Sequence, residues 1–408
     1  ARPPEITDGA PARAPTGAER FGPLRRLRRN RPALVAAVVL ICMYCAAGLA
    51  GFLAPYGVNE THYRPPLDLR HHPPMAPRIV DAAGRVHWPP FVYGSSRAGE
   101  VGPYRIDEHR MYPLRIFAKG ETYGLVFGLL KWDRHLFGVE EPGRLFLFGT
   151  DQLGRDVFSR VLYGARISLS VGLLGIAISI ALGLLLGAVA GFYGGVLDST
   201  LMRLSEVLMS LPGLYLIVAL GGLLPAEMPS DVRYVVIVAI LSLLGWAGVS
   251  RVVRGMVLSI RENEYVLAAR ALGAGSGRVI LRHVIPNTMS YVVVAATVSV
   301  PYYILGEASL SFLGVGIKEP QASWGLMLSE AQSVTAMRDY TWLLIPGVLI
   351  FLVVMCFNLL GDGLRDSLDP KSETTRAGLT GDRPAFDLRR RSLDPGIQPA
   401  PPLSETRR

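Results

Sequence analysis

The sequence predicts an all-α integral membrane protein, with six transmembrane helices and an enlarged extracytoplasmic segment between helices 1 and 2. Three observations carry that prediction. Half of the 408 residues are hydrophobic and only 18% are charged, too apolar for a disordered chain. The apolar residues gather into blocks of about twenty, long enough to cross a bilayer's hydrocarbon core. Arg25, Arg26, Arg28, Arg29 and Arg31 stand directly before the first block, the charge placement that keeps an N-terminus in the cytoplasm. That placement also turns the formal net charge of +9 away from nucleic acid and toward a membrane.

Residues 1–31 read as a basic cytoplasmic tail, rich in Pro, Ala and Gly up to residue 23. Residues 32–54 form the first span; Ala33–Ala54 is longer than the apolar core of a signal peptide and lacks a small-residue cleavage site. The other spans fall at Ile167–Ala190, Leu204–Leu224, Tyr234–Val253, Met289–Leu305 and Trp342–Leu360. Residues 167–362 are thus a core holding helices 2–6, and residues 363–408 a loose, disordered cytoplasmic tail. Pro212 and Pro301 are tolerated where neighbouring helices satisfy the freed carbonyls. Six spans from an inside N-terminus return the C-terminus inside, in the inner (plasma) membrane. Cys42, Cys45 and Cys356 all lie within apolar blocks, where neither water nor a neighbouring charge stabilises a thiolate, so they read as small hydrophobes.

Residues 55–166 lie outside the membrane in this topology. They contain Pro65-Pro66, Pro73-Pro74 and Pro89-Pro90 with Trp88, Phe91, Tyr93, Tyr104 and Tyr112. A structureless loop this long is uncommon, and the aromatics predict a small folded, strand-rich unit. His71-His72 has no Cys or carboxylate at ligand spacing and reads as solvated rather than metal-bound.

The loop 251–287 is the most informative stretch. Arg251, Arg254, Arg261, Arg270, Arg278 and Arg282 outnumber Glu262 and Glu264, which places it in the cytoplasm. Asn263 reads as an N-cap, Glu264 as a first-turn acid and Gly273 as a helix stop. Ser276 reads as the cap of a second short helix that Pro286 delimits. Ala268, Ala269 and Ala271 lack bulk, so this face can approach another protein's backbone. A passive linker or a DNA-binding helix-turn-helix fits the same pattern, but so short a unit tethered between two spans argues against DNA.

Ala268, Ala269, Gly273 and Pro286 fall in the register of the EAA loop that this stretch resembles, the coupling element of binding-protein-dependent ABC importer permeases. Leu267 stands where that motif has Glu, and Ile285 where it has Leu. The resemblance implies that Glu264, Tyr265, Ala268, Ala269, Arg270, Gly273, Arg278, Arg282, His283 and Pro286 face the ATPase subunits. Phe148–Arg160, with Gly154, Arg155 and Asp156, and Gly306–Gly316, with Glu307, Phe312 and then Trp324-Gly325, are similar to external segments of the dipeptide, oligopeptide and nickel class. Asp198, Met202, Arg203 and Pro212 fit its second-to-third-span region, with Glu206 where Asp is usual. The likeness spans about 148–370 and the first span. It implies the six-helix fold of an ABC importer permease and a sister permease beside it. It also implies two ABC ATPases, an extracytoplasmic substrate-binding protein, and peptides or nickel complexes as cargo. Residues 55–147 exceed the usual loop of the class.

From the residues alone, Gly154-Arg155-Asp156 reads as a tight turn whose charges pair locally or contact a neighbour. Leu310–Gly316 reads as a short re-entrant or surface helix. No phosphate-binding Gly-x-x-x-x-Gly-Lys-Ser/Thr run, His-Glu-x-x-His or Gly-x-Ser-x-Gly is present, so neither cofactor, metal nor nucleophile is expected. A membrane-anchored enzyme with Asp107, Glu108 and His109 in the external segment is the alternative, and nothing supplies an oriented nucleophile for it. Glu206 is the one carboxylate assigned within the spans, which disfavours an ion-coupled carrier.

Overall fold

The computed structural model describes residues 27, 28, 30–64, 67–97, 103–125 and 130–368. Both predicted tails fall almost wholly outside them. Five helices among the described residues are long and apolar enough to cross a membrane, and six when a bent pair counts as one span.

The bundle is built around one long helix, α3 (Val157–Tyr193), which follows α1 (Arg31–Gly48) and the short α2 (Ala50–Leu53). Alpha-helix α6 (Ser230–Ile260) packs along it. Gly183, Gly187 and Gly191 recur every four residues and so share one face of α3. A Cβ on Gly187 would lie 2.5 Å from the Ser250 carbonyl oxygen, and one on Gly191 2.8 Å from that of Arg254. Lipid supplies no hydrophobic drive between helices, so close backbone approach through small residues is what holds such a pair. Higher on α3, Gly172 and Gly175 admit Ile304 and Tyr303 of α9 (Ile285–Phe312). The last helix, α12 (Ile345–Leu368), closes the bundle against α1 and α9.

Two spans differ most from their sequence expectation. The third is broken into α4 (Gly195–Ser210) and α5 (Gly213–Gly222), bent by 87°. Pro212 sits in that break, where it has no carbonyl to free. The second begins ten residues earlier than Ile167, because Asp156 caps it: its carboxylate accepts from the Ser159 N–H at 2.8 Å. Leu310–Phe312 is the end of α9 rather than a separate helix, and the chain turns at Leu313–Gly316, where Gly314 has φ +79°.

The bundle has two distinct ends. At one lie α7 (Glu264–Ala271) and α8 (Ser276–Val279), which runs through a π-helical segment, Ile280–Val284, into α9. Pro286 is therefore in the first turn of α9 and delimits nothing. Neither Asn263 nor Ser276 makes a side-chain cap bond, and Gly275 holds the position before α8.

At the other end, residues between α2 and α3 form strands. The two-residue strands β1 (Tyr63–Arg64) and β2 (Leu67–Asp68) pair with each other. A sheet of order β3-β4-β5-β6 follows, with β3 (Arg78–Val80), β4 (Val86–Arg97), β5 (Tyr104–Leu125) and β6 (Leu130–Val139). The first half of the 22-residue β5 pairs with β4, from Arg97↔Tyr104 to Phe91↔Pro113. Its second half pairs with β6, from Leu114↔Val139 to Leu125↔Leu130. Short helices α10 (Trp324–Ser329) and α11 (Val334–Asp339) pack at this same end.

Candidate functional site

The elbow of α7 and α8 hangs from the bundle by a few apolar side chains. Val266, Val279 and Val284 are fully buried against Ala188, Val253 and Val257, at the ends of α3 and α6. Gly273 stops α7 with φ +84°, a conformation that any side chain strains. Everything else on α7 is turned outward. Glu264, Tyr265, Leu267, Ala268, Arg270 and Leu272 are exposed, and Ala269 half-buried. Leu272 is 89% exposed and Leu281 69%, apolar groups left largely uncovered.

The basic residues frame this surface rather than build a pocket. Arg270 lies over the Phe192 ring at 5.7 Å, while Arg278 and Arg282 are exposed. His283 lies 6.3 Å from the Tyr265 ring, and Asn287 donates to the Tyr265 hydroxyl and the His283 carbonyl. Pro286 is exposed beside them. Next to the elbow, Arg254 forks onto Asp198 at 2.7 and 2.6 Å, and Glu206 faces Arg203 and Arg251.

The motif residues at the sheet end form a different arrangement, a clamp of buried Asp151, Arg155 and Arg160 with the exposed Glu319 at its rim. Asp151 and Gly154 make a tight turn, with Gly154 at φ +75° and the Asp151 carboxylate accepting from the Leu153 and Arg155 N–H groups. Arg155 pairs with Asp151 at 2.6 Å, Glu319 at 2.8 Å and Glu330 at 3.3 Å. Arg160 reaches the same Glu319 at 3.0 Å. The Arg and Asp of Gly154-Arg155-Asp156 do not pair with one another: Asp156 turns inward to cap α3 and hydrogen-bonds Ser159.

Burial shapes these acids. Asp156 is enclosed without a cation, and burial raises its carboxyl to about 7 against the pull of its Ser159 bonds. Burial, then the neighbouring Asp151 charge, raises Glu330 to about 7 as well. Glu319 keeps a carboxyl below its ordinary value, because Arg160 and Arg155 together outweigh its desolvation.

Beneath the clamp, Glu307 corrects the reading that Glu206 is the one carboxylate within the spans. It is fully buried in α9, accepting from Ser168 on α3 at 3.0 Å and from Ser311 at 2.7 Å. Ser168 in turn accepts from the Trp324 N–H, and the Trp324 indole donates to the Val161 carbonyl at 3.0 Å. Gly325 is pressed onto α9; a Cβ there would lie 2.5 Å from the Ala308 carbonyl oxygen. Glu307 and Trp324 thus tie α3, α9 and α10 together. Phe312 is only half-buried, lining an apolar groove with Leu214, Leu305 and Ile350.

Sequence reasoning missed Glu319 and Glu330, and gave no role to Asp151 and Arg160 although both lie in the motif stretch; these four are the other members of the clamp. Their signal was faint: three acids and an arginine scattered over three loops and a helix turn. His71 and His72 also differ from expectation. His72 is buried and bonded to Pro73 and Ser95, and His71 stacks on Tyr340 at 4.0 Å. Burial lowers the His72 imidazole to about 4. Asp107 accepts from the His109 N–H and pairs with Arg110, while Glu108 and His109 are exposed on β5, so these three converge on nothing. No cluster of metal-ligating side chains occurs among the described residues.

Comparison with known proteins agrees with this anatomy. Residues 183–374 match the family described as "Binding-protein-dependent transport system inner membrane component", and residues 24–74 match "N-terminal TM domain of oligopeptide transport permease C". The dipeptide transport system permease protein DppC of Bacillus subtilis is 45% identical over 225 residues, 55% of this chain and 68% of that protein. The oligopeptide transport system permease protein OppC of the same organism is 40% identical over 231 residues, 56% of this chain and 73% of that protein. The glutathione transport system permease protein GsiD of Pectobacterium atrosepticum is 40% identical over 232 residues, 57% of this chain and 75% of that protein. The chain therefore belongs to the binding-protein-dependent transport system inner membrane components, as a multi-pass, non-catalytic subunit that works with other transporter subunits.

Proposed function

We propose that this chain is one of two permease subunits of an ABC importer for peptides, with nickel complexes the other cargo of the class. It forms the transmembrane path with a sister permease. Two ATPase subunits dock on the elbow, which is the cytoplasmic end, so both termini are cytoplasmic. A substrate-binding protein delivers cargo at the sheet end, and the strand-rich unit enlarges its docking surface.

The observation that carries this reading is the elbow's asymmetry: a short helix pinned by Val266, with Tyr265, Leu267, Ala268 and Leu272 left outside. The elbow also runs through the π-helical segment into α9, whose far end bears Glu307. A rigid-body shift of α7 and α8 therefore reaches Glu307 along one helix. ATP binding closes the ATPases and moves the elbow, shifting the population between inward- and outward-facing states.

The test is a charge on the docking face. Ala269→Asp and Gly273→Asp should abolish uptake and uncouple ATP hydrolysis while the complex still inserts. Normal uptake by either well-expressed variant contradicts the docking role.

A further inference from the structure

The height of the β5–β6 hairpin relative to the bundle is fixed by its own contacts. The Glu121 carboxylate lies against Gly57, His135 donates to the Ala54 carbonyl at 2.5 Å, and the Tyr123 ring fills the space a Cβ on Gly51 would need. Descending the chain from residue 57 to 51 leads toward α1 and the apolar middle of the bundle. Along β5, residues 121 to 123 descend in parallel with it, and β5 continues to Leu125 before β6 returns from Leu130.

At that level the first candidate span, α1, comes to its end. Arg166 of α3 donates to the Ala47 and Gly48 carbonyls at 2.7 and 3.1 Å and lies over the Tyr163 ring at 5.2 Å. The hairpin presents matching residues. Trp132 pairs in register with Tyr123 and is 49% exposed, Lys131 is exposed, and Phe117 is 54% exposed at 6.1 Å from Phe52. Tryptophan, tyrosine and lysine are the side chains that settle at the lipid headgroup level, each with an apolar body and a polar tip. Past Tyr123 the sequence reads Gly124-Leu125-Val126-Phe127-Gly128-Leu129-Leu130 with no polar side chain until Lys131; residues 126–129 lie outside the described residues.

We propose that the β5–β6 hairpin rests on the lipid leaflet at the sheet end, with Tyr123, Trp132 and Lys131 at headgroup level. The occupant of this face is phospholipid, because the hairpin packs on Gly51, Phe52 and Ala54, directly where the apolar candidate span α1 ends. The strand-rich unit is then fixed to the membrane at two points, α2 and the hairpin. This needs only the membrane placement of those helices and holds whatever the transporter carries.

Spin labels test it in the assembled transporter in phospholipid nanodiscs, after replacing Cys42, Cys45 and Cys356. Labels go at Trp132→Cys, at Lys131→Cys as a second site should the first variant fail to assemble, and at Ile106→Cys, 60% exposed on the other half of β5. Collision with oxygen relative to a water-soluble nickel chelate should be several-fold greater at 132 or 131 than at 106. Equal ratios would place the hairpin in water and overturn the proposal. Shielding from both reagents would show a protein partner there instead, and would overturn it as well.

Discussion

Replacing Val266 by alanine should unseat the elbow while leaving its exposed face chemically intact. Val266 is fully buried and is the one residue of α7 that enters the core formed with Val253, Val257 and Val284. An eight-residue helix has little stability of its own, so this burial is most of what holds it. Two lost methyl groups at about 0.8 kcal/mol each, with a small cavity term, come to about 2 kcal/mol. Local opening should then become roughly 30-fold more frequent. Hydrogen exchange of the peptide covering residues 262–275 in the intact transporter measures this directly. Protection there should fall by that factor, with α3 and α6 unchanged, and ATP hydrolysis should lose its dependence on cargo. Unchanged protection would refute the view that one buried valine anchors α7.

Arg155→Met should cost about 3–5 kcal/mol, because it leaves the buried Asp151 and Glu330 without their central cation; thermal unfolding of the detergent-solubilised complex would show it. Asp156, ordinarily a carboxyl near 4, is raised to about 7 by burial. The folded chain therefore binds the extra proton between those values, and stability falls as pH rises through that window. Asp156→Asn keeps a capping side chain and should reduce that slope in melting curves taken from pH 4 to 8, leaving the share that Glu330 contributes. Gly187→Leu should force α3 and α6 apart at the 2.5 Å approach to Ser250, costing at least about 1–3 kcal/mol and halving the yield of folded protein or worse. Glu307→Ala strands the Ser168 and Ser311 hydroxyls and should destabilise more than Glu307→Gln, which keeps an acceptor; comparative thermal shifts decide it.

The spans were legible because a bilayer demands long uninterrupted apolar runs, and Ala33–Ala54 or Trp342–Leu360 satisfy that on inspection. What escaped was set by contacts distant in sequence. The start of α3 at Val157 depends on one aspartate turning inward, and an Asp next to an Arg reads equally well as an ion pair. The break between α4 and α5 hid because Leu204–Leu224 is apolar enough overall to pass as one span, and only Pro212 marked it. Glu307 lay two residues beyond the assigned end of its span, where a carboxylate passes for a surface group; its serine partners come from Ser168 and Ser311. The elbow was the reverse case. Gly273 marks a turn, and Ala268 and Ala269 a face without bulk, by their chemistry alone, whereas the choice of Val266 over Leu267 as the anchor required the fold.

Cross-linking during transport tests the central claim most directly. With cysteine at Ala268 and a partner cysteine on the ATPase surface, the account predicts a cross-link that forms in the resting complex and stops ATP-driven uptake in proteoliposomes until it is reduced. Uptake by the purified permease pair with no ATPase present, or uptake undiminished by the cross-link, would contradict it.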